Sequence, residues 1–313
     1  MKTGSATWQR LLPFLSLAAL FIFLSVASPN FLTPTNLAAV IRQTATINVM
    51  ALGMTLVIVS GGIDLSVGAI LAFSGTMGAM AMASGLPVSV GIAVGLFCGL
   101  FWGLFNGVLT TSLKIPPFIV TLGTLGIARG VTLIISGGLP VVGLPREFES
   151  LAEGSLAGIP SVLFVLGVCA VLTHVVLHST KLGRYTYAIG SNKEAAVYAG
   201  ISVSKYTVAV YAISGMLTGL AGMIEASRLM TGQPTAGLGY ELQVIAAVVI
   251  GGGSLTGGEG SVIGTLIGAF IMGLLSNGSD LLGVNPYLQQ ALIGAIIILA
   301  VAFDEARKRR FRQ

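Results

Sequence analysis

An all-α, polytopic membrane fold of about ten crossing helices is predicted by three features of this 313-residue sequence. Hydrophobic residues make up 54% and charged residues only 9%, against roughly 25% charged in a soluble domain. Apolar runs of about 17–25 residues, the length a bilayer demands, recur along the whole chain. The basic residues are grouped beside those runs, as topology signals are. Mean hydropathy is +0.94, and glycine, at 43 residues, is about twice as common as usual. A soluble protein needs far more surface charge than this. Disordered chains, disulfide scaffolds and soluble nucleic-acid binders are excluded on the same grounds.

The first segment, 11–27, follows Lys2 and Arg10 and ends at the small residues Val26-Ala27-Ser28, a pattern resembling a secretory signal. Pro29 stands directly after that site and further segments follow, so an uncleaved first helix is expected. The second, 37–59, carries Arg42 and leads into Gly61-Gly62-Ile63-Asp64-Leu65-Ser66 ahead of the third, 67–84. Asp64 there either caps the next helix or acts directly in gating or coupling. The fourth, 88–111, places a glycine every four residues: Gly91, Gly95, Gly99, Gly103 and Gly107. On a helix these share one face and admit a neighbouring backbone. A fixed packing seam and a surface sliding between two arrangements are both compatible with it.

The fifth segment, 117–136, holds Arg129, and loop 137–160 after it carries Glu147, Glu149 and Glu153 against Arg146 alone. The sixth, 161–178, ends with His174 and His178 on one face and no nearby carboxylate, expected at the interface rather than on a metal. In the seventh, 206–226, Gly215 and Gly219 repeat the glycine spacing. Glu225 and Arg228, three apart, are the candidate intramembrane ion pair. Glu241 opens the eighth, 241–256, and Gly264 and Gly268 lie in the ninth, 261–276. Gly251-Gly252-Gly253 and Gly257-Gly258 interrupt this pair of segments. The tenth, 287–303, precedes a basic tail, 304–313.

Of 16 Lys and Arg, all but Arg42, Arg129, Arg146 and Arg228 fall in four places. These are Lys2 with Arg10; Lys114; Lys181, Arg184, Lys193 and Lys205; and Arg307 to Arg310 with Arg312. Basic flanks mark the cytoplasmic side. Ten crossings put all four places there, with both termini cytoplasmic and loop 137–160 outside. The tail is a topology anchor for anionic lipid rather than a nucleic-acid patch. Cys98 and Cys169 lie in apolar stretches as buried small hydrophobes. No phosphate loop, nucleophile elbow or zinc spacing occurs, and no metal site or proton-relay chain is expected.

The longest inward loop, 179–205, is the informative one. Ser191 and Glu194 fit a Ser-x-x-Glu capping box, and Gly200 fits a C′ stop. The helix between them would have about eight residues, roughly 12 Å, too short to span a membrane or to persist alone in water. A docking element and a plain connector are equally open on spacing alone.

Glu194-Ala195-Ala196 followed by Gly200-Ile201 resembles the coupling loop of bacterial ATP-binding-cassette importer permeases. Further stretches are similar to the monosaccharide branch of that family, nearest its ribose-type members. They are Gly61-Gly62-Ile63-Asp64-Leu65-Ser66-Val67-Gly68, Leu182-Gly183-Arg184-Tyr185, Gln233-Pro234-Thr235-Ala236-Gly237, Gly239-Tyr240-Glu241-Leu242 and Gly251 to Gly258. The resemblance runs from about Ser28 to Phe303, with loop 137–160 its weakest part. It implies one permease domain over 1–313, with a periplasmic loop at 137–160, a cytoplasmic coupling loop at 179–205 and a cytoplasmic tail at 304–313. It implies a multi-pass subunit of the bacterial inner membrane, paired as a homodimer or with a close paralogue. A cytoplasmic ATPase and a periplasmic sugar-binding protein would be its partners, and no nucleic acid. ATP and magnesium would be used by the ATPase, with no cofactor and no catalysis in this chain.

On that reading Ser191, Asn192, Lys193, Glu194, Ala195, Ala196 and Gly200 form the coupling helix. Gly61, Gly62, Asp64, Ser66, Gly252, Gly253 and Ser254 border the inner vestibule or gate, since non-helical backbone at membrane depth needs protein or a cavity around it. A secondary-active sugar transporter would instead need carboxylates deep in broken helices, which are scarce here. A branched-chain amino-acid permease of the same superfamily is the nearer alternative.

Overall fold

The computed structural model describes residues 3–285, 287–296, 298, 299 and 302, with side chains from residue 12 onward. The helices are α1 (Thr3–Ala27), α2 (Pro34–Val59), α3 (Val67–Ala83), α4 (Val88–Ser112), α5 (Pro117–Ser136) and α6 (Ser161–Ser179). They continue as α7 (Lys181–Ser191), α8 (Lys193–Tyr198), α9 (Val203–Leu229), α10 (Tyr240–Ile250) and α11 (Val262–Leu281). The described residues of 287–302 are helical as well. Each of the ten apolar segments contains helix where described, but the eighth, 241–256, is helical only to Ile250, and 251–256 form a turn. Six helices, α2, α4, α5, α6, α9 and α11, are long and apolar enough to cross a membrane, whereas α3, α10 and Leu12–Ala27 of α1 are shorter apolar helices. The fold is that of a multi-pass helical membrane protein. The basic tail 304–313 lies outside the described residues.

The helix ends follow local chemistry. Thr33 caps α2 by accepting from the Asn36 amide, with Pro34 supplying a ready-made helical φ. Pro117 opens α5, and Gly137 closes it in the left-handed region at φ 63°. Ser261 caps α11 by accepting from the Gly264 amide.

The bundle is built around α2, buried along most of its length and packed by α6, α9, α10 and α11. Three of its polar side chains donate within the helix: Thr44 to Val40, Asn48 to Thr44 and Thr55 to Ala51. Thr55 also meets Thr265 of α11 at 2.7 Å. Leu24 of α1 fills the space left by Gly278 of α11, so α1 is seated in the bundle.

The glycine face of α4 meets α9 and α3 at backbone distance. A Cβ on Gly99 would collide with the Gly215 carbonyl, one on Gly103 with the Tyr211 carbonyl, and one on Gly107 would stand 2.8 Å from Val208 Cα. Gly91 and Gly95 instead make room for the side chains of Met82 and Met223. Gly215 and Gly219, read from the sequence as a repeat of the motif, are the facing half of the same seam. Such contact replaces the hydrophobic drive that lipid cannot supply.

Loop 137–160 folds onto one end of the bundle. It contains a 3-10 turn, Arg146–Leu151, and a hairpin of β1 (Ser155–Leu156) with β2 (Ile159–Pro160). Phe148 is fully buried as its anchor. Ser227 of α9 donates to the Phe148 carbonyl at 2.6 Å and accepts from the Ala152 amide at 3.1 Å.

Candidate functional site

The opposite end carries α7 and α8. Helix α8 has six residues, two fewer than its sequence suggests, because α7 occupies the ground before it. Ser191 is the last residue of α7 and caps nothing. Asn192 is the N-cap of α8, its Oδ1 accepting from the Ala195 amide at 2.9 Å. The two residues are neighbours and both suit the role, and the continuing helix takes Ser191 out of the extended conformation a cap needs. The C-terminal stop stands as expected. Gly200 sits at φ 78°, its amide donates to Val197, and the Ile201 amide donates to Ala196. This is a Schellman closure. Lys193, Glu194, Ala195, Val197 and Tyr198 are exposed, and Ala196 is buried. A short helix fixed at both ends thus presents a polar and aromatic face outward.

Helix α7 has no membrane-length apolar run to announce it; its signal is Leu182, Tyr185 and Ile189 at helical spacing behind the cap Thr180. It joins the two glycine-rich turns. Gly190 packs on the end of α2: a Cβ there would strike the Val59 carbonyl and lie 2.6 Å from the Gly258 amide nitrogen. A Cβ on Gly257, at φ 88°, would lie 2.9 Å from both Gly190 Cα and Gly61 Cα. The Gly258 amide donates to the Val59 carbonyl at 2.9 Å, and the Tyr187 hydroxyl to the Gly260 carbonyl at 2.7 Å. Burial pushes the Tyr187 phenol above its usual range, keeping it a neutral donor. Turns 60–66 and 251–260, far apart in the chain, therefore meet on α7.

Within the first turn, Asp64 does not cap α3. Its Oδ1 accepts from the amide and hydroxyl of Ser66, the residue at the N-cap position, and no side chain bonds the orphan amides of α3. Asn106 of α4 donates to the Ser66 hydroxyl at 2.9 Å. Asp64 and Ser66 are both fully buried. A Cβ on Gly62 would lie 2.6 Å from the Tyr211 hydroxyl, which donates to the Ile63 carbonyl at 3.3 Å. In the second turn Gly252 is at φ 91° with open space beside it, Gly253 packs on Val248, and Ser254 is buried with its hydroxyl 2.9 Å from that of Thr256.

At the other end, Arg228 meets Glu225 at 2.7 Å, the ion pair its spacing suggests. The sequence does not reveal the rest of the cluster: Thr46 of α2 donates to Glu225 at 3.0 Å and Tyr240 of α10 at 3.3 Å. Glu225 therefore ties three helices together. Glu153 is engaged by Arg42 at 2.9 Å, while Glu147 and Glu149 are exposed. His174 and His178 stack with ring centroids 4.3 Å apart. Among the described residues no three His, Cys, Asp or Glu side chains converge as a metal site would require. Both cysteines are free thiols.

A helical bundle with backbone-tight glycine seams, and a short capped helix bearing on two irregular turns, defines a multi-pass membrane protein. The chain belongs to the family described as branched-chain amino acid transport system / permease component, whose profile matches residues 36–301. It is 47% identical to the ribose import permease protein of Bacillus subtilis, over 96% of this chain and 94% of the relative. It is 42% identical to the ribose import permease protein of Escherichia coli, over 94% of this chain and 93% of the relative. The D-allose transport system permease protein of Escherichia coli is 39% identical, over 95% and 92% respectively. No solved structure matches the chain.

Proposed function

We propose that this chain is the membrane-spanning permease subunit of an ATP-driven monosaccharide importer, with ribose its leading substrate. The observation that carries the reading is the 47% identity to a ribose import permease along nearly the whole chain. The subunit is a single permease domain in the bacterial inner membrane and crosses it ten times with both termini cytoplasmic. The grouping of basic residues supports this arrangement. It works as a pair, with itself or a close paralogue. Helix α8, exposed and capped at both ends, is the coupling helix that seats on a cytoplasmic ATPase, and ATP and magnesium are handled by that partner. Loop 137–160 receives a periplasmic sugar-binding protein, with exposed Glu147 and Glu149 facing its basic residues and Glu153 reserved for Arg42. Closure of the ATPases moves α8, and α7 passes the movement to turns 60–66 and 251–260. Gly61, Gly62, Asp64, Ser66, Gly252, Gly253 and Ser254 there border the inner gate.

The test is reconstitution in proteoliposomes with the ATPase and the binding protein. D-ribose should accumulate only when ATP and both partners are present. Uptake that persists without the ATPase would mean secondary transport and reject the proposal. Uptake of leucine in place of sugar would move the chain to the branch for which its family is named.

A further inference from the structure

The connection from α9 to α10 is not helical, yet it does not stay at the end of the bundle. Gly232 lies against Thr76 and Ala79 of α3, and Gly237 against Gly68 and Leu71. Thr76 and Gly68 are about 12 Å apart along the helix at 1.5 Å per residue. The irregular segment therefore runs back along α3 toward its first turn. Only then does α10 begin, with eleven residues, about half of what a bilayer core requires. Irregular backbone beside a membrane helix is tolerated where protein covers it or where it lines a water-filled cavity. Broken helices of this kind hold solutes in other transporters.

Two opposite charges meet the segment at its deep end. Arg129 of α5 donates to the Pro234 carbonyl at 2.6 Å and to the Gly68 carbonyl at 3.3 Å, and its Nε is buried with no partner. Glu241, in the first turn of α10, holds its carboxylate over the same Gly68: a Cβ there would stand 2.7 Å from Oε2. The guanidinium and the carboxylate thus flank one residue without closing on each other. Among the described residues the ion pairs are Arg42 with Glu153 and Arg228 with Glu225. On the segment itself, the Gln233 amide donates to the Thr235 hydroxyl at 3.0 Å, and Thr235 is exposed. A charge at membrane depth costs about 2.5–3.5 kcal/mol on insertion scales, which makes both groups functional candidates; the Glu241 carboxylate also accepts from the backbone amides of Gly239 and Glu241.

We infer that Arg129, Glu241, Gln233 and Thr235 form a contact site for a neutral polyol on the permeation path. A sugar hydroxyl donates to the carboxylate and another accepts from the guanidinium, while the pair adds no net charge to repel or trap a neutral solute. Gln233 and Thr235 supply a further donor and acceptor from the unwound backbone. This inference rests on the sugar-importer reading above. A purely structural Arg129, pinning the segment by its carbonyls, is the rival account.

The experiment uses the complete transporter in proteoliposomes, with D-ribose and its monodeoxy analogues, each first shown by calorimetry to bind the binding protein. Glu241→Gln should lower the maximal D-ribose uptake rate about tenfold, with the half-saturating concentration of loaded binding protein unchanged. On the analogue lacking the hydroxyl that Glu241 accepts, the same substitution should cost nothing further, as in a double-mutant cycle. Gln233→Ala, a milder change on the segment, should lower the D-ribose rate about threefold. A loss equal across all the sugars, or no loss in either variant, would overturn the site while leaving the importer reading intact. Failure of the wild-type transporter to carry any of these sugars would overturn both.

Discussion

At Gly99 and Gly103 the missing side chain sets how near α4 comes to α9. Gly99→Val forces its new atoms into the Gly215 carbonyl, and overpacking of this kind costs about 1–3 kcal/mol or more. The expected outcome is a clear fall in the melting temperature of the detergent-solubilised protein. Gly126→Ala, at a position with nothing within 4 Å, should leave it near the wild-type value. The Glu225 cluster makes a second prediction. Glu225 is 5% exposed, and removing one partner of a buried pair costs about 3–5 kcal/mol because the other charge is stranded. Arg228→Met should therefore destabilise more than Arg228→Met combined with Glu225→Gln, as read by thermal unfolding of both variants. Equal losses would mean that Thr46 and Tyr240 alone hold the carboxylate.

At the scale of elements, α8 depends on its ends, since six residues are too few to persist without them. Asn192→Ala removes a cap worth about 0.5–2 kcal/mol and should weaken co-purification with the ATPase. Glu194→Arg and Gly200→Val should leave the protein inserted in the membrane and abolish uptake. Normal uptake in both would end the coupling assignment. The helix itself was legible from Glu194 and Gly200, and the stripe on α4 from its four-residue spacing. Its cap was not, because Ser191 and Asn192 are equally suited and only the course of α7 separates them. Asp64 resembles a cap in sequence for a similar reason: an Asp two residues before the N-cap position instead builds a turn onto Ser66. Segment 231–239 was visible as a proline- and glycine-containing motif. Its descent along α3 was not, because nothing local distinguishes a surface loop from one folded back between helices.

At the scale of the whole molecule, the charge pattern predicts sidedness that labelling can read. In a background of Cys98→Ala and Cys169→Ala, the single substitutions Ser84→Cys and Glu149→Cys should react with an impermeant maleimide in intact cells. Lys114→Cys and Glu194→Cys should react only after the membrane is opened. Any exchange between the two groups would break the ten-crossing topology. The ends of the bundle differ in how they are fastened. Loop 137–160 is tied at its start by the paired backbones of Val141 and Gly232, and along the rest by side chains, Phe148, Ser227 and the Arg42–Glu153 pair, whose rotatable bonds yield under load. Where Gly190, Gly257 and Gly61 meet, no such bond intervenes and main chain bears directly on main chain. That joint is stiff in the engineer's sense: a push on α7 arrives at residue 257 undamped, as through a bolted flange rather than a rubber mount.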